Sequence, residues 1–391
     1  MADREVNPYR PGFNQAPAVL AGRVDVLDGA NEALEIAAFD GRTPRPLVLV
    51  GPRGLGKTVT LQEIASHAAA RLSWPTVHVE ATTGASLLDE LTARLLQAER
   101  LLTGQTPRTM QRRRARVSGG KLEAKAFGVG GSVELEAVTA GDVDLAQALR
   151  QAVEAALARQ AGLVITLDEL QSATPGDLNV LGAVLQECVP EGWPLVVAIA
   201  ALPALRNNRG PRRLPTYLER AEWHELEALA DEEARQALVE PARQAGRPMT
   251  AKAAERLLDV AGGYPYAIQV AGHFAWRASH GADQISVAHA RAAVPRIEKD
   301  LTQLFKGRWD DASPREREYL RALAVVARER AQGPTGGEVA AELGEIVTAV
   351  SYLRDRLLKK GTIYRDAAGR LHFITPGMGA WILTTLDEGS S

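Results

Sequence analysis

The chain has 391 residues, 46% hydrophobic and 24% charged, which is enough apolar material for two or three cored domains. Its net charge of −2 excludes a strongly basic nucleic-acid coat and an acidic tail, so any nucleic-acid contact must come from a local patch. Cys188 is the only cysteine, which excludes an intrachain disulfide and fits a reducing compartment. No apolar core follows the charges of MADREVNPYRPGFN. The longest apolar run, 193–205, is too short to span a bilayer. The expectation is a cytoplasmic protein with no membrane partner.

Residues 1–22, rich in Pro, Gly and Asn, read as an extended lead-in, followed by a helix from Val24 to Asp40. PLVLVG (46–51) is a β-branched apolar run, the pattern of a strand buried on both faces. A helix over 57–72, a strand over 75–80 and a helix over 86–102 follow, and this alternation predicts a parallel sheet. Residues 104–138 break the rhythm with a basic, glycine-containing insertion whose end alternates roughly as a hairpin would. With Asp142 as N-cap, a helix over 144–160 leads into the strand GLVITLDEL (162–170). A helix near 177–188 and the strand PLVVAIAA (194–201) come next. From 226 the pattern is helical only. Between Ser313 and Leu386 three helices precede two strands joined by Ala367-Ala368-Gly369, the order of a winged helix-turn-helix.

Chemistry enters at Gly51-Pro52-Arg53-Gly54-Leu55-Gly56-Lys57-Thr58, which satisfies G-x-x-x-x-G-K-[ST] between strand and helix, with Val59 opening the helix. Glycines let successive amide hydrogens turn toward one anion, and the following helix points its positive dipole end at the same place. Lys57 would neutralise β/γ-phosphate charge, and the Thr58 hydroxyl would ligate magnesium. The second half of the site is the end of LVITLDEL, where Asp168 would organise Mg2+ and Glu169 would polarise the attacking water. Gln171 either touches the γ-phosphate or caps a turn. His78, His224 and His273 are scattered, with no zinc-ligand spacing. The expected ligands are therefore ATP and Mg2+. The expected organisation is an α/β P-loop ATPase domain (1–225), a helical lid domain (226–305) and a winged-helix domain (306–391).

On these motifs the chain resembles the AAA+ and STAND branches of P-loop ATPases, near the archaeal-ATPase and origin-recognition-initiator families. PAVLAGR (17–23) lies upstream of the loop, where such proteins place an adenine-contacting segment ending in Gly-Arg, so the resemblance assigns Pro17 and Arg23 to the nucleotide. Gly263-Tyr264-Pro265 resembles the G-x-P signature of STAND proteins, whose proline packs on the nucleotide, which implies Gly263 and Pro265. Two departures stand out. The end of the fourth strand, AIAALP (198–203), carries no polar side chain to sense γ-phosphate, although Asn207 and Asn208 follow. GGYPYAIQ carries no lid arginine. Both imply slow hydrolysis, with ATP acting chiefly as a conformational ligand. Arg220, ahead of the last strand, falls where AAA+ proteins carry a trans-acting finger, which implies a homo-oligomer.

Two surfaces are candidates for double-stranded DNA. QRRRAR (111–116) clusters Arg112, Arg113 and Arg114, whose guanidiniums would neutralise phosphates and release counterions. In the winged helix the third helix would present Ser351 and Arg354, with Arg370 beside the wing. Against this, residues 313–388 hold eleven Lys/Arg and ten Asp/Glu, so the unit is barely basic. The expected function is an ATP-controlled DNA-binding switch; the alternative is a STAND-type signalling or scaffold ATPase whose winged helix contacts protein. A metabolic kinase fits less well, because a lid and a winged helix would be surplus.

Overall fold

The computed structural model describes residues 6–12, 15–104, 144–205, 214–330, 332–366, 368–375 and 377–387. The arginine cluster Arg112–Arg114, the expected hairpin, Asn207, Asn208 and Ala367 lie outside the described residues. In chain order the first part comprises α1 (Val24–Phe39), β1 (Leu47–Val50), α2 (Lys57–Leu72), β2 (Thr76–Glu80), α3 (Leu87–Thr103), α4 (Leu145–Leu157) and β3 (Leu163–Asp168). It continues through α5 (Pro175–Glu191), β4 (Leu195–Ala201), the short α6 (Thr216–Glu219) and β5 (Glu222–Glu225). The N-cap of α4 is Asp144, whose side chain accepts from the Gln147 amide, and not Asp142, which lies outside the described residues.

All strand pairings in this part are parallel, in the order β2-β3-β4-β1-β5. Strands β1, β3 and β4 are buried along their whole length, as their unbroken aliphatic runs require, whereas the edge strand β2 alternates. Register pairs Val50 with Ala201 and Glu80 with Asp168, so the carboxyl tips finish close to level. The chain leaves β1, an interior strand one place from the β5 edge, for the far edge β2. This opens a crevice above the tips of β1, β4 and β3, where ligands bind in open α/β sheets. One sheet face packs under α3, α4 and α5. The other face joins α1, α2 and the remaining helices in a single continuous core.

The lid comprises α7 (Asp231–Gln244), α8 (Ala251–Ala261), α9 (Pro265–Ala278) and α10 (Val287–Asp310). Helix α10 runs unbroken to Asp310, so the expected domain boundary at 305/306 falls inside a helix. The chain breaks at Ser313, which caps the next helix with its hydroxyl and receives the Glu316 carboxylate in return. The lead-in also departs from expectation. Tyr9 is 2% exposed and its hydroxyl donates to the Leu238 carbonyl, so residues assigned to the first domain are docked into the lid.

The C-terminal unit contains α11 (Pro314–Glu329), α12 (Gly336–Glu342), α13 (Val347–Lys360), β6 (Ile363–Arg365), antiparallel β7 (Leu371–Phe373) and α14 (Met378–Asp387). The order through β7 is the one expected of a winged helix, with Val350, Leu353 and Leu357 of α13 buried as expected. Helix α14 was not anticipated. Its Trp381 lies edge-on to Trp309 of α10 and tilted against Phe305, so it staples the unit to the lid.

Candidate functional site

The phosphate loop spans the tip of β1 to the first turn of α2. Gly54 and Gly56 have φ of +79° and +88°, a region that residues with a Cβ rarely enter. Gly51 is needed for space, since a Cβ there would lie 2.6 Å from the Leu226 carbonyl oxygen. Lys57 is 5% exposed and its Nζ donates to the carbonyls of Gly51 and Pro52, each at 2.7 Å. Burial pulls its pKa down to about 8, against the raising influence of Glu169 and Asp168 and the lowering influence of Arg53.

The tip of β3 meets the loop. Asp168 is 3% exposed; its Oδ2 accepts from the Thr58 hydroxyl at 2.5 Å and its Oδ1 from the Glu169 amide at 2.7 Å. Two hard oxygen donors set side by side fit Mg2+, which prefers few protein oxygens and retains water. Glu169 sits at φ +51°, a left-handed conformation that costs about 1–2 kcal/mol for a residue with a side chain and that clusters at functional sites. Its carboxylate accepts from Gln171 Nε2 at 2.6 Å and lies 3.7 Å from the Arg53 guanidinium. Gln171 makes a second bond, from the Leu202 amide to its Oε1.

The adenine-flanking segments named from the resemblance converge. Cβ atoms built on Gly22 and Gly263 would both strike Leu229, one its side chain and the other its carbonyl. Arg23 caps the start of α1, is buried, and donates to the Leu55 carbonyl at 2.8 Å, so its guanidinium braces the loop from behind. Pro17 is half-buried, and half-buried Pro265 opens α9. Between Gly263 and Pro265 lies a residue to which the sequence assigned no role. The Tyr264 hydroxyl donates to the Arg53 carbonyl at 3.2 Å and rests on Gly54 so closely that a Cβ there would overlap it. Arg308 of α10 lies beside that hydroxyl and donates to the Gly361 carbonyl at 2.9 Å. Arg53 and Leu202 in turn flank Gly361, the residue joining α13 to β6. Burial lowers the Arg308 pKa, offset by Tyr264.

The other expected site residues sit apart. Arg220 is exposed at the end of α6, just before β5. In α13 the Ser351 hydroxyl donates to Thr348 O, and the Arg354 guanidinium is turned onto Asp355 through two bonds of 3.0 and 2.9 Å. Arg370 donates to the Gly333 carbonyl.

A family model described as an AAA ATPase domain matches residues 19–198. The chain carries an AAA ATPase domain. The match covers the phosphate loop and the β3 tip and ends inside β4, with the lid beyond it. A second family model, a domain of unknown function (DUF8462), matches residues 302–382, which spans the end of α10 and the C-terminal unit. No curated protein matches the chain. Among solved structures, the Aeropyrum pernix ORC2 protein, seen in ADPNP-ADP complexes, aligns at a TM-score of 0.61 and 16% identity, covering 99% of this chain and 97% of its own. The Walker-type ATPase paby2304 of Pyrococcus abyssi aligns at 0.61 and 14%, covering 97% and 99%. These identities speak to fold: the whole chain, and not the AAA domain alone, follows an architecture seen before.

The lowered Lys57 pKa predicts a nucleotide affinity that depends on pH. The ammonium is the form that attracts phosphate, and below about pH 8 it is already charged. Above pH 8 binding must first recover a proton. Magnesium-ATP affinity is therefore expected to be flat from pH 6 to 8 and then to fall by up to tenfold per pH unit, in calorimetric titrations. Lys57→Ala is expected to lie far below this curve and to lose its alkaline limb.

Proposed function

We propose that the chain is an ATP-hydrolysing switch in which the C-terminal unit reports the occupancy of the phosphate loop. The observation that carries this reading is the meeting at Arg53 and Gly54. One short stretch of the loop touches the lid through Tyr264, and its Arg53 side chain approaches the C-terminal unit at Gly361. A triphosphate that reorders the loop must move atoms on which both units rest, and that differential contact is what a two-state switch requires.

In this reading Lys57 and the loop amides hold the phosphates, and Thr58 and Asp168 would hold Mg2+, which when bound neutralises charge on the transferring group. Glu169 accepts a proton from the water that attacks the γ-phosphoryl, giving ADP and phosphate. A β4 tip whose own side chains are apolar and a lid segment without arginine favour slow turnover. The exposed Arg220 is offered as a finger for a neighbouring copy.

For the output, one reading is duplex DNA held by Ser351, Arg354, Arg370 and the Arg112–Arg114 insertion. A protein partner is favoured by one observation. The Arg354 and Arg370 guanidiniums are engaged internally, while Ile346, Val347 and Tyr352 around α13 are 72%, 43% and 50% exposed.

Distance measurements test the switch. Labels at Glu99→Cys in α3 and Tyr352→Cys in α13 are expected to report different separations with magnesium-ATP and with ADP, the difference vanishing in Lys57→Ala. Cys188 need not be removed, because burial pushes its thiol up to about 12. Equal separations in both nucleotides would refute the switch. Duplex binding at two salt concentrations then separates DNA from protein output, since phosphate contacts give a steep salt slope.

A further inference from the structure

The tip of β4 has no polar side chain of its own, yet a polar group stands there. Gln171, in the single 3-10 turn after β3, reaches back so that its Oε1 accepts from the Leu202 amide at 2.8 Å. Leu202 directly follows the last residue of β4 and is 2% exposed. The other half of the same amide donates to Glu169 Oε2 at 2.6 Å. The amide can face only one way: a flip would set its NH2 against the Leu202 N–H and its carbonyl against a carboxylate. Both ends are specified by their partners, so the group is a rigid strut between the β4 tip and the Glu169 carboxylate. The Arg53 guanidinium approaches the same Oε2 at 3.7 Å.

We infer that Gln171 is a positioning residue for hydrolysis: anchored on the β4 tip, it holds the Glu169 carboxylate in the orientation from which it takes the proton of the attacking water. This rests on the reading of Glu169 as the base. Misplacing a reacting group by about 1 Å costs on the order of 10²-fold in rate. The acceptor at Leu202 and the donor at Glu169 are separable by substitution. Gln171→Glu keeps an oxygen for Leu202 and loses the donor unless its carboxyl is protonated; Gln171→Ala loses both.

Single-turnover hydrolysis of γ-labelled ATP by the full chain, with magnesium-ATP affinity measured in parallel, decides the matter and reads slow rates directly. Gln171→Ala is expected to hydrolyse about tenfold to hundredfold more slowly, with affinity within about twofold of the parent chain. Gln171→Glu is expected to be as slow at pH 8 and to recover relative to the parent as pH falls, because only the protonated carboxyl donates. If Gln171→Glu matches the parent at every pH, with no relative loss as its carboxyl deprotonates, Gln171 is only an anchor for the strand tip and the inference fails. It fails too if Gln171→Ala hydrolyses at the parent rate, or if its loss is wholly one of affinity. Glu169→Gln serves as the reference. Turnover persisting in that variant would overturn the base reading itself, whereas a dead Glu169→Gln beside an active Gln171→Ala would overturn only the positioning role.

Discussion

Gly54→Ala is expected to lower magnesium-ATP affinity by at least tenfold, and adding Tyr264→Ala is expected to restore part of the loss. Two costs act at one atom. A residue with a Cβ at φ +79° pays about 1–2 kcal/mol. The new methyl group would also overlap the hydroxyl of Tyr264, a residue only 2% exposed and so without room to retreat. Overpacking of this kind costs about 1–3 kcal/mol where neighbours are fixed. The loop can escape both penalties only by leaving its phosphate-ready shape, and that displacement must be reversed on binding, where about 1.4 kcal/mol is a factor of ten. Tyr264→Ala removes the overlap and leaves the backbone penalty, so the two substitutions should be strongly non-additive. Calorimetric titration of the two single variants and the double variant checks this. Additive losses would mean that the lid tyrosine does not press on the loop in solution, and the basis for the switch would go with it.

The contrast between Gly54 and Tyr264 shows what was legible beforehand. The loop was readable because its chemistry is local: glycine spacing, a lysine and a threonine within eight residues force one backbone shape. The β3 tip was readable because an unbroken aliphatic run ending in two carboxylates has few other uses. The order of the strands was not, since parallel partners are chosen by crossover packing rather than by any neighbour in sequence. Tyr264 escaped for the same reason. Its hydroxyl finds the Arg53 carbonyl 211 positions away, and the local pattern Gly-Tyr-Pro marks only a helix start. The missing polar residue at the β4 tip was real as a sequence fact. In the fold the Leu202 amide just past that tip is met by Gln171, which reaches over from the turn after β3. Arg354 shows the opposite failure: an arginine on an outward helical face reads as available, yet its own neighbour Asp355 claims it.

The lead-in supplies the largest expected effect on stability. Tyr9→Ala is expected to destabilise the lid by about 3–5 kcal/mol, the range for truncating a fully buried aromatic. The ring occupies a slot that exists only because α9 carries Gly272, where a Cβ would overlap the ring. Burial also pushes the phenol pKa up, so the hydroxyl remains a proton donor to Leu238 O at every working pH. Asn7 adds a second tie, its Nδ2 donating to the His273 carbonyl at 3.2 Å. Amide hydrogen exchange in α7 and α9 should therefore accelerate by about two to three and a half orders of magnitude in Tyr9→Ala, at about 1.4 kcal/mol per decade. Tyr9→Phe, which keeps the ring, should cost only about 1 kcal/mol. Gly272→Ala should be damaging in the parent chain and nearly silent once Tyr9 is alanine, because the slot is then empty. Unchanged exchange in α9 of Tyr9→Ala would mean that the lid holds itself together without the N-terminal segment. If the segment does hold it, whatever displaces residues 6–12 loosens the same helix that presses Tyr264 onto the phosphate loop, and the N-terminal segment becomes a third lever on the nucleotide.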